Sequence, residues 1–139
     1  MIKHKPSLEE LNKINKGNMG EHLDIVYTDI GDDYLEGKMP VDNRTKQPFG
    51  LLHGGASVVL AETLGSLASQ LSVDDKKQFC VGIEINANHI KGVRSGYVTG
   101  KATSIHIGKK THVWEIKIKD EQDDLVCISR LTVAVIDKR

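Results

Sequence analysis

The sequence predicts an α+β fold in which a mostly antiparallel sheet packs against one long helix. Of the 139 residues, one stretch at about residues 53–71 has the length and apolar content of a long helix. Two strand-like segments precede it and four follow it. Short turns separate consecutive strand segments, which favours antiparallel pairing. A single helix must then cover the apolar face of the sheet.

The chain begins with a pattern that is typical of a helix start. Ser7 is followed three residues later by Glu10, the spacing of a capping box. Apolar residues then recur at helical spacing from Leu8 onward. These features predict a short amphipathic helix that ends near Gly17.

Strand-like segments surround the long helix. Before it, alternating apolar and polar residues predict strands at residues 22–30 and Tyr34–Pro40, joined by a hairpin turn at GDD, residues 31–33. After it, strand character is found around VGIEI, over Tyr97–Ile107, around WEIKI and through LVCISRLTVAVI. The last of these is apolar on both faces, as expected for a central strand that is covered on two sides.

Length and charge limit the possible function classes. With 139 residues the chain is long enough to bury one core, so we expect a single domain over residues 1–139. Nineteen Lys and Arg residues balance nineteen Asp and Glu residues, so the net charge is zero with neutral histidines. A nucleic-acid coat or a broad membrane-binding face needs a strong basic excess, and we expect neither.

The cysteines and the N-terminal sequence indicate the cellular compartment. Cys80 and Cys127 lie in strand-like runs without a CxxC pair, which is typical of reduced core residues. The opening MIKHKPSLEEL lacks the apolar stretch of a secretory leader, and no run reaches membrane-spanning length. We therefore expect a soluble, cytoplasmic protein.

Glu62 lies in the middle of the apolar helix GLLHGGASVVLAETLGSLASQ. Burying a carboxylate costs free energy unless another group pairs with it or the protein uses it chemically. A structural partner such as an arginine is one interpretation, and a catalytic role is the other. At helical spacing, the residues that share its face are Gly55, Val58, Val59, Gly65, Ser66 and Ser69. The opposite rows, which suit burial against a sheet, carry Leu60, Leu64, Leu67 and Leu71.

The start of the same helix carries groups that favour negative charge. Gly54 and Gly55 place bare backbone N–H groups at a helix N-terminus, as in an oxyanion hole. His53 and Gln47 add polar donors directly upstream. Each has a simpler explanation, since His53 suits a helix cap and Gln47 suits a surface loop. Their occurrence close to Glu62 in the sequence favours a catalytic site.

The segment QPFGLLHGGASVVLAETLGSLAS resembles the hotdog-fold acyl-CoA thioesterases of the PaaI-like type. Within that type, the chain is most similar to the 1,4-dihydroxy-2-naphthoyl-CoA hydrolases of menaquinone synthesis and to the thioesterases that proofread aryl-loaded carrier proteins in siderophore synthesis. The likeness includes MPVDNRTKQPFG, INANHIKGVRSG and VCISRLTVAV, and so nearly the whole chain. It implies a hotdog fold, in which an antiparallel sheet wraps around one long central helix.

The resemblance also implies roles for five residues. Glu62 corresponds to the catalytic carboxylate, which acts as nucleophile or as general base on water. Gly54 supplies the backbone N–H donor to the thioester oxygen, with His53 and Gln47 beside the thioester. Ser66 holds the attacking water. No residue spacing indicates a metal site, and we expect no cofactor, because coenzyme A is part of the substrate.

By the same resemblance, NANHIKGVRSG and HIGKK lie along the nucleotide and phosphates of coenzyme A. Lysine and arginine suit phosphate by charge and geometry, although solvated surface cations give the same pattern. The residues assigned to substrate binding are Gly55, Val81, His89, Lys91, Arg94, His106, Gly108, Lys109 and Lys110. Asn86 and Asn88 fit turn positions, and we assign no role to His4, His22 or His112.

The function predicted from these residues is hydrolysis of an aromatic acyl-CoA thioester. Three alternatives stay open: the same chemistry on a misloaded acyl carrier protein, a non-catalytic protein that binds an acyl ligand, and a dehydratase of the same broad fold. A non-catalytic protein is expected to lack the helix carboxylate, and a dehydratase to use a differently placed histidine and aspartate. We expect an acyl-CoA substrate, and neither a nucleic-acid nor a membrane partner.

Helix geometry predicts that two chains share the site. Gly54 and Glu62 are eight residues apart, so about 12 Å separates them along the helix axis. A glutamate side chain does not span that distance. A two-fold dimer with antiparallel helices brings Glu62 of one chain near Gly54 of the other. The resemblance adds that such dimers pair their sheets and often form a homotetramer, a dimer of dimers.

Overall fold

The computed structural model describes all 139 residues, and it confirms the predicted α+β class. Along the chain the elements are α1 (Leu8–Lys13), α2 (Met19–His22), β1 (Val26–Ile30), β2 (Tyr34–Pro40), α3 (Gly54–Gln70), β3 (Gln78–His89), β4 (Tyr97–Ile107), β5 (Thr111–Lys119) and β6 (Leu125–Asp137). The strands form one sheet in the order β1-β2-β4-β5-β6-β3, and every neighbouring pair is antiparallel. No helix is both long and apolar enough to span a membrane.

The long helix α3 packs against one face of the sheet, as predicted. Leu64 is fully buried in the same apolar cluster as Trp114 and Leu131. Each large apolar side chain removed from water in this way contributes about 1.5–3 kcal/mol to folding. The helix lies close to the sheet at Gly65, where an added Cβ would come within 2.6 Å of the Leu131 Cδ2. Gly65 therefore lies on the side of α3 that packs against the sheet.

The N-terminal helix has its predicted cap but not its predicted end. The Ser7 side chain accepts a hydrogen bond from the Glu10 N–H at 3.2 Å. α1 nevertheless ends at Lys13 and not near Gly17. The buried side chain of Asn15, just beyond, donates at 3.0 Å to a backbone carbonyl just before β1, so the chain has already left the helix.

The first strand also begins later than predicted. Strand structure was expected from residue 22, but α2 occupies Met19–His22. Asp24, with a φ of 54°, then turns the chain, and β1 begins at Val26. The hairpin turn after β1 is confirmed, since the Gly31 N–H donates to the Tyr34 carbonyl at 3.0 Å.

At one edge of the sheet lies β3, with β6 as its neighbour. Asn86 and Asn88 are strand residues of β3, paired with Arg130 and Ile128, and not turn residues. The prediction that β6 is covered on two faces is wrong for one chain, because α3 covers a single face of the sheet and Arg130 is exposed. The other face of β6, including Ile136, is open to solvent.

A buried hydrogen-bond network joins the end of α3 to β5. The fully buried Ser69 hydroxyl accepts the Trp114 indole N–H at 2.7 Å and lies 3.0 Å from Nδ1 of His112. Because the hydroxyl oxygen accepts from the indole, its own proton is available to His112. Ser69 therefore faces the core, and the expectation that His112 has no role is wrong because its ring is part of this network.

We predict that His112 makes the stability of the fold depend on pH. Burial lowers the pKa of His112 in the folded chain. The unfolded chain then takes up a proton near pH 6.5 that the folded chain resists, so the free energy of unfolding falls as the pH drops below about 6.5. The limiting slope for one proton is about 1.4 kcal/mol per pH unit. Urea unfolding at a series of pH values from about 7 down to about 5 measures it.

The matched variants are His112→Gln and His4→Gln, since His4 is exposed. The first should flatten the pH dependence of the free energy of unfolding, and the second should leave it unchanged. Equal slopes in the wild type and His112→Gln would contradict the prediction.

Candidate active site

The N-terminus of α3 presents a backbone donor that no protein group uses. His53 caps the helix, and its Nδ1 accepts a hydrogen bond from the Gly55 N–H at 2.8 Å. The His53 carbonyl accepts the N–H groups of Ala56 and Ser57 at 3.0 and 3.2 Å. The Gly54 N–H is left without an acceptor at the positive end of the helix. This free donor can receive an oxygen that carries partial negative charge.

His53 caps the helix through one ring nitrogen and leaves the other available. Because Nδ1 accepts the Gly55 N–H, a neutral ring carries its proton on Nε2. The side chain is exposed and follows directly before the free N–H of Gly54. The simpler explanation of His53, a helix cap, is therefore correct and is compatible with a second contact through Nε2.

Gln47 lies in the loop before α3, and one end of its carboxamide is occupied. Its Oε1 accepts the N–H groups of Phe49 at 2.5 Å and Leu51 at 3.5 Å. These contacts leave the Nε2 group free to donate. Gln47 and Gly54 line the same cavity of about 280 Å³. Two of the donors predicted from the sequence therefore converge.

His89, the last residue of β3, completes this part of the site. It lines the same cavity, and a Cβ added to Gly54 would lie 2.8 Å from its Nε2. The absence of a side chain at Gly54 thus lets the imidazole pack against the start of α3. We refer to Gln47, His53, Gly54 and His89 together as the donor end.

The carboxylate of Glu62 has no partner within the chain. The residue is half-buried, and it forms neither a salt bridge nor a side-chain hydrogen bond. The interpretation of Glu62 as half of a structural ion pair is therefore not supported. Its Oε2 lies over β3, 2.7 Å from the place where a Cβ on Gly82 would be. An unpaired carboxylate in this position is available as a base or nucleophile.

Ser66 lies one helical turn after Glu62, on the same face, and is half-buried. This is the placement that the family resemblance implies for a residue that holds water beside the carboxylate. The donor end starts eight residues before Glu62, or about 12 Å along the axis of α3. One chain therefore contains both halves of the expected site but does not bring them together.

Three residues assigned to coenzyme A binding lie at or near the donor end. His89 belongs to it, and the exposed Arg94 has its Nη1 3.5 Å from the Phe49 carbonyl. Lys91 instead forms salt bridges with Asp120 at 2.6 Å and Asp124 at 2.7 Å. These two carboxylates hold the pKa of Lys91 above its usual value. Lys91 is therefore already neutralised within the chain.

The loop that carries Lys91 also touches the segment before the helix. The carbonyl of Val93 accepts the Leu52 N–H at 2.7 Å. Leu52 directly precedes His53, so the ion pairs of Lys91 help to hold the backbone at the donor end.

A second group of assigned residues lies at the hairpin between β4 and β5. It contains His106, Gly108, Lys109 and Lys110. Both lysines are exposed and form no salt bridge, and they line a cavity of about 670 Å³ together with Lys3 and Gln78. This hairpin adjoins the first residue of β3, whereas His89 is the last, so the two groups lie at opposite ends of that strand.

The two remaining assigned residues lie outside these groups. Gly55 is exposed in the first turn of α3, where its N–H is bound by the helix cap. Val81 is exposed on β3, on the face of the sheet away from α3. Gly55 therefore contacts the donor end through this hydrogen bond to His53 Nδ1, and Val81 lies outside the donor end.

Gly82 belongs to the candidate site but was not among the residues predicted from the sequence. A glycine inside a strand is a known sign of close approach by another group, and this signal was present in the sequence. The approaching group proved to be the carboxylate of Glu62.

Comparison with known proteins decides the family. Residues 49–127, more than half of the chain, match the family described as the thioesterase superfamily. The chain belongs to the thioesterase superfamily.

Relatives of this thioesterase are similar over almost its whole length. The 1,4-dihydroxy-2-naphthoyl-CoA hydrolase of Escherichia coli is 54% identical over 134 residues, which are 96% of this chain and 98% of the relative. The proofreading thioesterase EntH of Cronobacter sakazakii is 54% identical over 130 residues, 94% of each chain. A crystal structure of a mutant thioesterase from Pseudomonas aeruginosa has a TM-score of 0.96 at 51% identity and covers 98% of both chains. The hotdog fold and the class of thioester hydrolase are thereby confirmed.

We predict that Gly82→Ala lowers the kcat of this thioesterase by at least about tenfold, because the new methyl group displaces the Glu62 carboxylate. Steady-state thiol release measures the effect. Glu84→Ala, two residues along β3, is the control, since the exposed Glu84 does not contact Glu62. Wild-type kcat in folded Gly82→Ala would show that the position of Glu62 does not depend on Gly82.

Proposed function

We propose that this thioesterase hydrolyses an aromatic acyl-CoA thioester, 1,4-dihydroxy-2-naphthoyl-CoA or a related aryl-CoA, to the free acid and coenzyme A. The observation that carries the proposal is the unpaired carboxylate of Glu62 on the same helix that presents the unused Gly54 N–H. The name and the 54% identity of the Escherichia coli relative support the choice of substrate.

In the proposed reaction the Gly54 N–H polarises the thioester carbonyl, with help from the helix dipole. His53 Nε2–H and Gln47 Nε2–H lie beside the carbonyl. Glu62 then takes one of two routes. As a nucleophile it attacks the carbonyl carbon and expels the thiolate, and water hydrolyses the resulting mixed anhydride. As a general base it takes a proton from a water held by Ser66, and the hydroxide adds to the carbonyl before the thiolate leaves.

Both routes use only the thioester, water, and backbone and side-chain groups of the enzyme. The thiolate of coenzyme A takes up a proton after it leaves, and the acid is released as a carboxylate. The proposal therefore includes no cofactor, and coenzyme A enters only as part of the substrate.

We further propose that the catalytic unit is a homodimer. The distance of about 12 Å along α3 separates the donor end from Glu62 within one chain. β3 is an edge strand, and its residues Phe79, Val81 and Ile83 are exposed apolar side chains. Antiparallel pairing of two β3 strands covers these edges and brings Glu62 towards the donor end of the partner. Two dimers then associate as a tetramer through the open outer face of the sheet, where Ile105 and Ile136 are exposed.

The same pairing would bring together the two groups of residues that are proposed to bind coenzyme A. In an antiparallel pair, the first residue of one β3 lies near the last residue of the other. The hairpin lysines Lys109 and Lys110 of one chain then lie near His89 and Arg94 of the partner. The proposed nucleotide site is thus formed between subunits.

The alternative function is proofreading of a misloaded aryl carrier protein. It uses the same thioester chemistry, and the 54% identity to the proofreading thioesterase EntH favours it. In both substrates the acyl group is carried on a pantetheine arm. In an acyl-CoA this arm is attached to a nucleotide, and in a carrier protein it is attached to the protein. A direct comparison of substrates separates the two functions.

We predict that benzoyl-CoA and hydroxynaphthoyl-CoA are hydrolysed with a higher kcat/KM than palmitoyl-CoA or an aryl-loaded carrier protein, measured by thiol release with Ellman's reagent.

Glu62→Ala should lower kcat on every substrate by at least about a hundredfold while the fold stays intact, as expected for a principal base or nucleophile. Ser66→Ala should cost less, because Ser66 positions water without reacting.

Thr63→Ala, the next position along α3, is the control for Glu62→Ala. Faster turnover of palmitoyl-CoA than of every aryl-CoA would refute the aromatic preference. A carrier protein that exceeds every coenzyme A ester would establish the alternative function. Full activity per folded molecule in Glu62→Ala would remove Glu62 from the mechanism.

We predict that two inactive variants restore each other when they form mixed dimers. Glu62→Ala is unfolded and refolded together with an equal amount of the double variant Gln47→Ala, His53→Ala. Random pairing makes about half of the dimers mixed, each with one intact site of two, so about a quarter of wild-type activity should return.

Each variant refolded by itself is the control for recovered background activity. Mass spectrometry confirms that mixed dimers are present. A mixture of confirmed mixed dimers that is no more active than its parents would place each site within one chain.

A further inference from the structure

Gln70, the last residue of α3, covers part of the edge of β3. Its Nε2 donates to the Gln78 carbonyl at 3.3 Å, and its Oε1 accepts the Cys80 N–H at 3.0 Å. One side-chain amide thus binds the C=O and the N–H of two residues that lie two positions apart, and these are groups that a neighbouring strand would otherwise bind.

These two backbone groups belong to the open edge of the sheet. In an antiparallel strand, the N–H and C=O of one residue point to the same side. Val135 of β6, which lies opposite Cys80, donates its N–H to the Lys110 carbonyl and therefore faces away from β3. Cys80 and Gln78 accordingly point away from β6, towards the edge where a second copy of the chain would pair.

We propose that Gln70 sets the register of subunit pairing, by blocking the edge of β3 at residues 78–80 and confining the pairing to residues 82–89. The occupant of this edge is a second copy of the chain, so the inference rests on the homodimer of the proposed function. It adds the alignment of the two strands and names the residue that enforces it.

The arrangement of the site requires the same alignment on independent grounds. Within one chain, Glu62 lies over Gly82, and His89 packs against Gly54. Pairing that places Gly82 beside the partner's His89 therefore brings Glu62 beside the partner's Gly54. The segment that this pairing needs, residues 82–89, is the segment that Gln70 leaves free.

The bulge in β3 makes this alignment compatible with two-fold symmetry. Relative to β6, β3 carries an irregularity between Gly82 and Glu84. Residues that face each other across a two-fold axis must project to the same side of the sheet. Glu84 then lies opposite the partner's Asn88, and Asn86 lies opposite itself on the axis. The bulge absorbs one residue, so that Gly82 meets the partner's His89.

Slipped pairing that includes residues 78–80 would destroy this geometry. It would move the axis towards Glu84 and displace the partner's His89 by about four residues, or about 13 Å, along β3. Glu62 would then lie opposite no donor. Blocking that register therefore protects the activity and not only the association.

Disulfide crosslinking reads the register directly. In a Cys80→Ser background, Asn86→Cys places two thiols opposite each other with Cα atoms about 5 Å apart, within the range of a disulfide. Glu84→Cys places its two Cα atoms about 13 Å apart, outside that range. With Gln70 present, oxidation should link Asn86→Cys dimers completely and leave Glu84→Cys chains unlinked.

Removal of the Gln70 amide should change this pattern. In Gln70→Ala, Glu84→Cys dimers should form, and thioesterase activity should fall in proportion to the slipped fraction. Gln70→Met keeps the side-chain length and a good helix former without the hydrogen bonds, and it serves as a second variant if alanine loosens the helix end. Gln122→Ala, which removes a carboxamide from the exposed turn before β6, is the matched control.

The failures of the two proposals differ. A wild-type protein that sediments as a monomer, with no Asn86→Cys crosslink, refutes the homodimer of the proposed function. Crosslinking only at Asn86→Cys in the wild type and in both Gln70 variants, with equal activity, leaves the dimer standing and overturns the role of Gln70.

Discussion

The site depends on the close packing of α3 against the sheet. Leu64 projects between two strand glycines, and a Cβ on Gly37 or Gly100 would come within 3.0 or 2.9 Å of its methyl groups. A core packed to this density leaves the helix little freedom to shift. The height of Glu62 above β3 is therefore fixed by apolar contacts on the opposite side of the helix, and not by any partner of the carboxylate itself.

Polar contacts at both ends complete the placement of the helix. At its start, the Nδ1 atom of His53 accepts a hydrogen bond from the first turn of the helix. The backbone N–H of His53 donates to the Thr45 carbonyl at 2.8 Å. At its end, Ser69 is held by the Trp114 indole and Gln70 reaches the backbone of β3. These contacts fix the helix along its axis and in rotation. Every group that α3 offers to a substrate inherits its position from them.

Most of the fold and half of the site can be predicted from the sequence because they are local. Periodicity predicts α3 and the strands, and Gln47 and Gly54 converge because few residues separate them. Contacts set by sheet register have no local signal: the contact between Ser69 and His112 spans 43 residues, and nothing near Ser69 indicates it. The sequence also does not show that the Glu62 carboxylate has no salt-bridge partner, because this depends on where the fold places the lysine and arginine side chains.

The salt bridges of Lys91 make part of this structure sensitive to ionic strength. The pairs with Asp120 and Asp124 are partly open to solvent, and ions at physiological concentration weaken such pairs. Their loop is bonded to Leu52 through Val93, directly before the helix cap. Ionic strength therefore acts not only on the attraction between the enzyme and an anionic thioester. It also weakens the contacts that hold the backbone at the donor end, so the proposed catalytic step gains a dependence on salt.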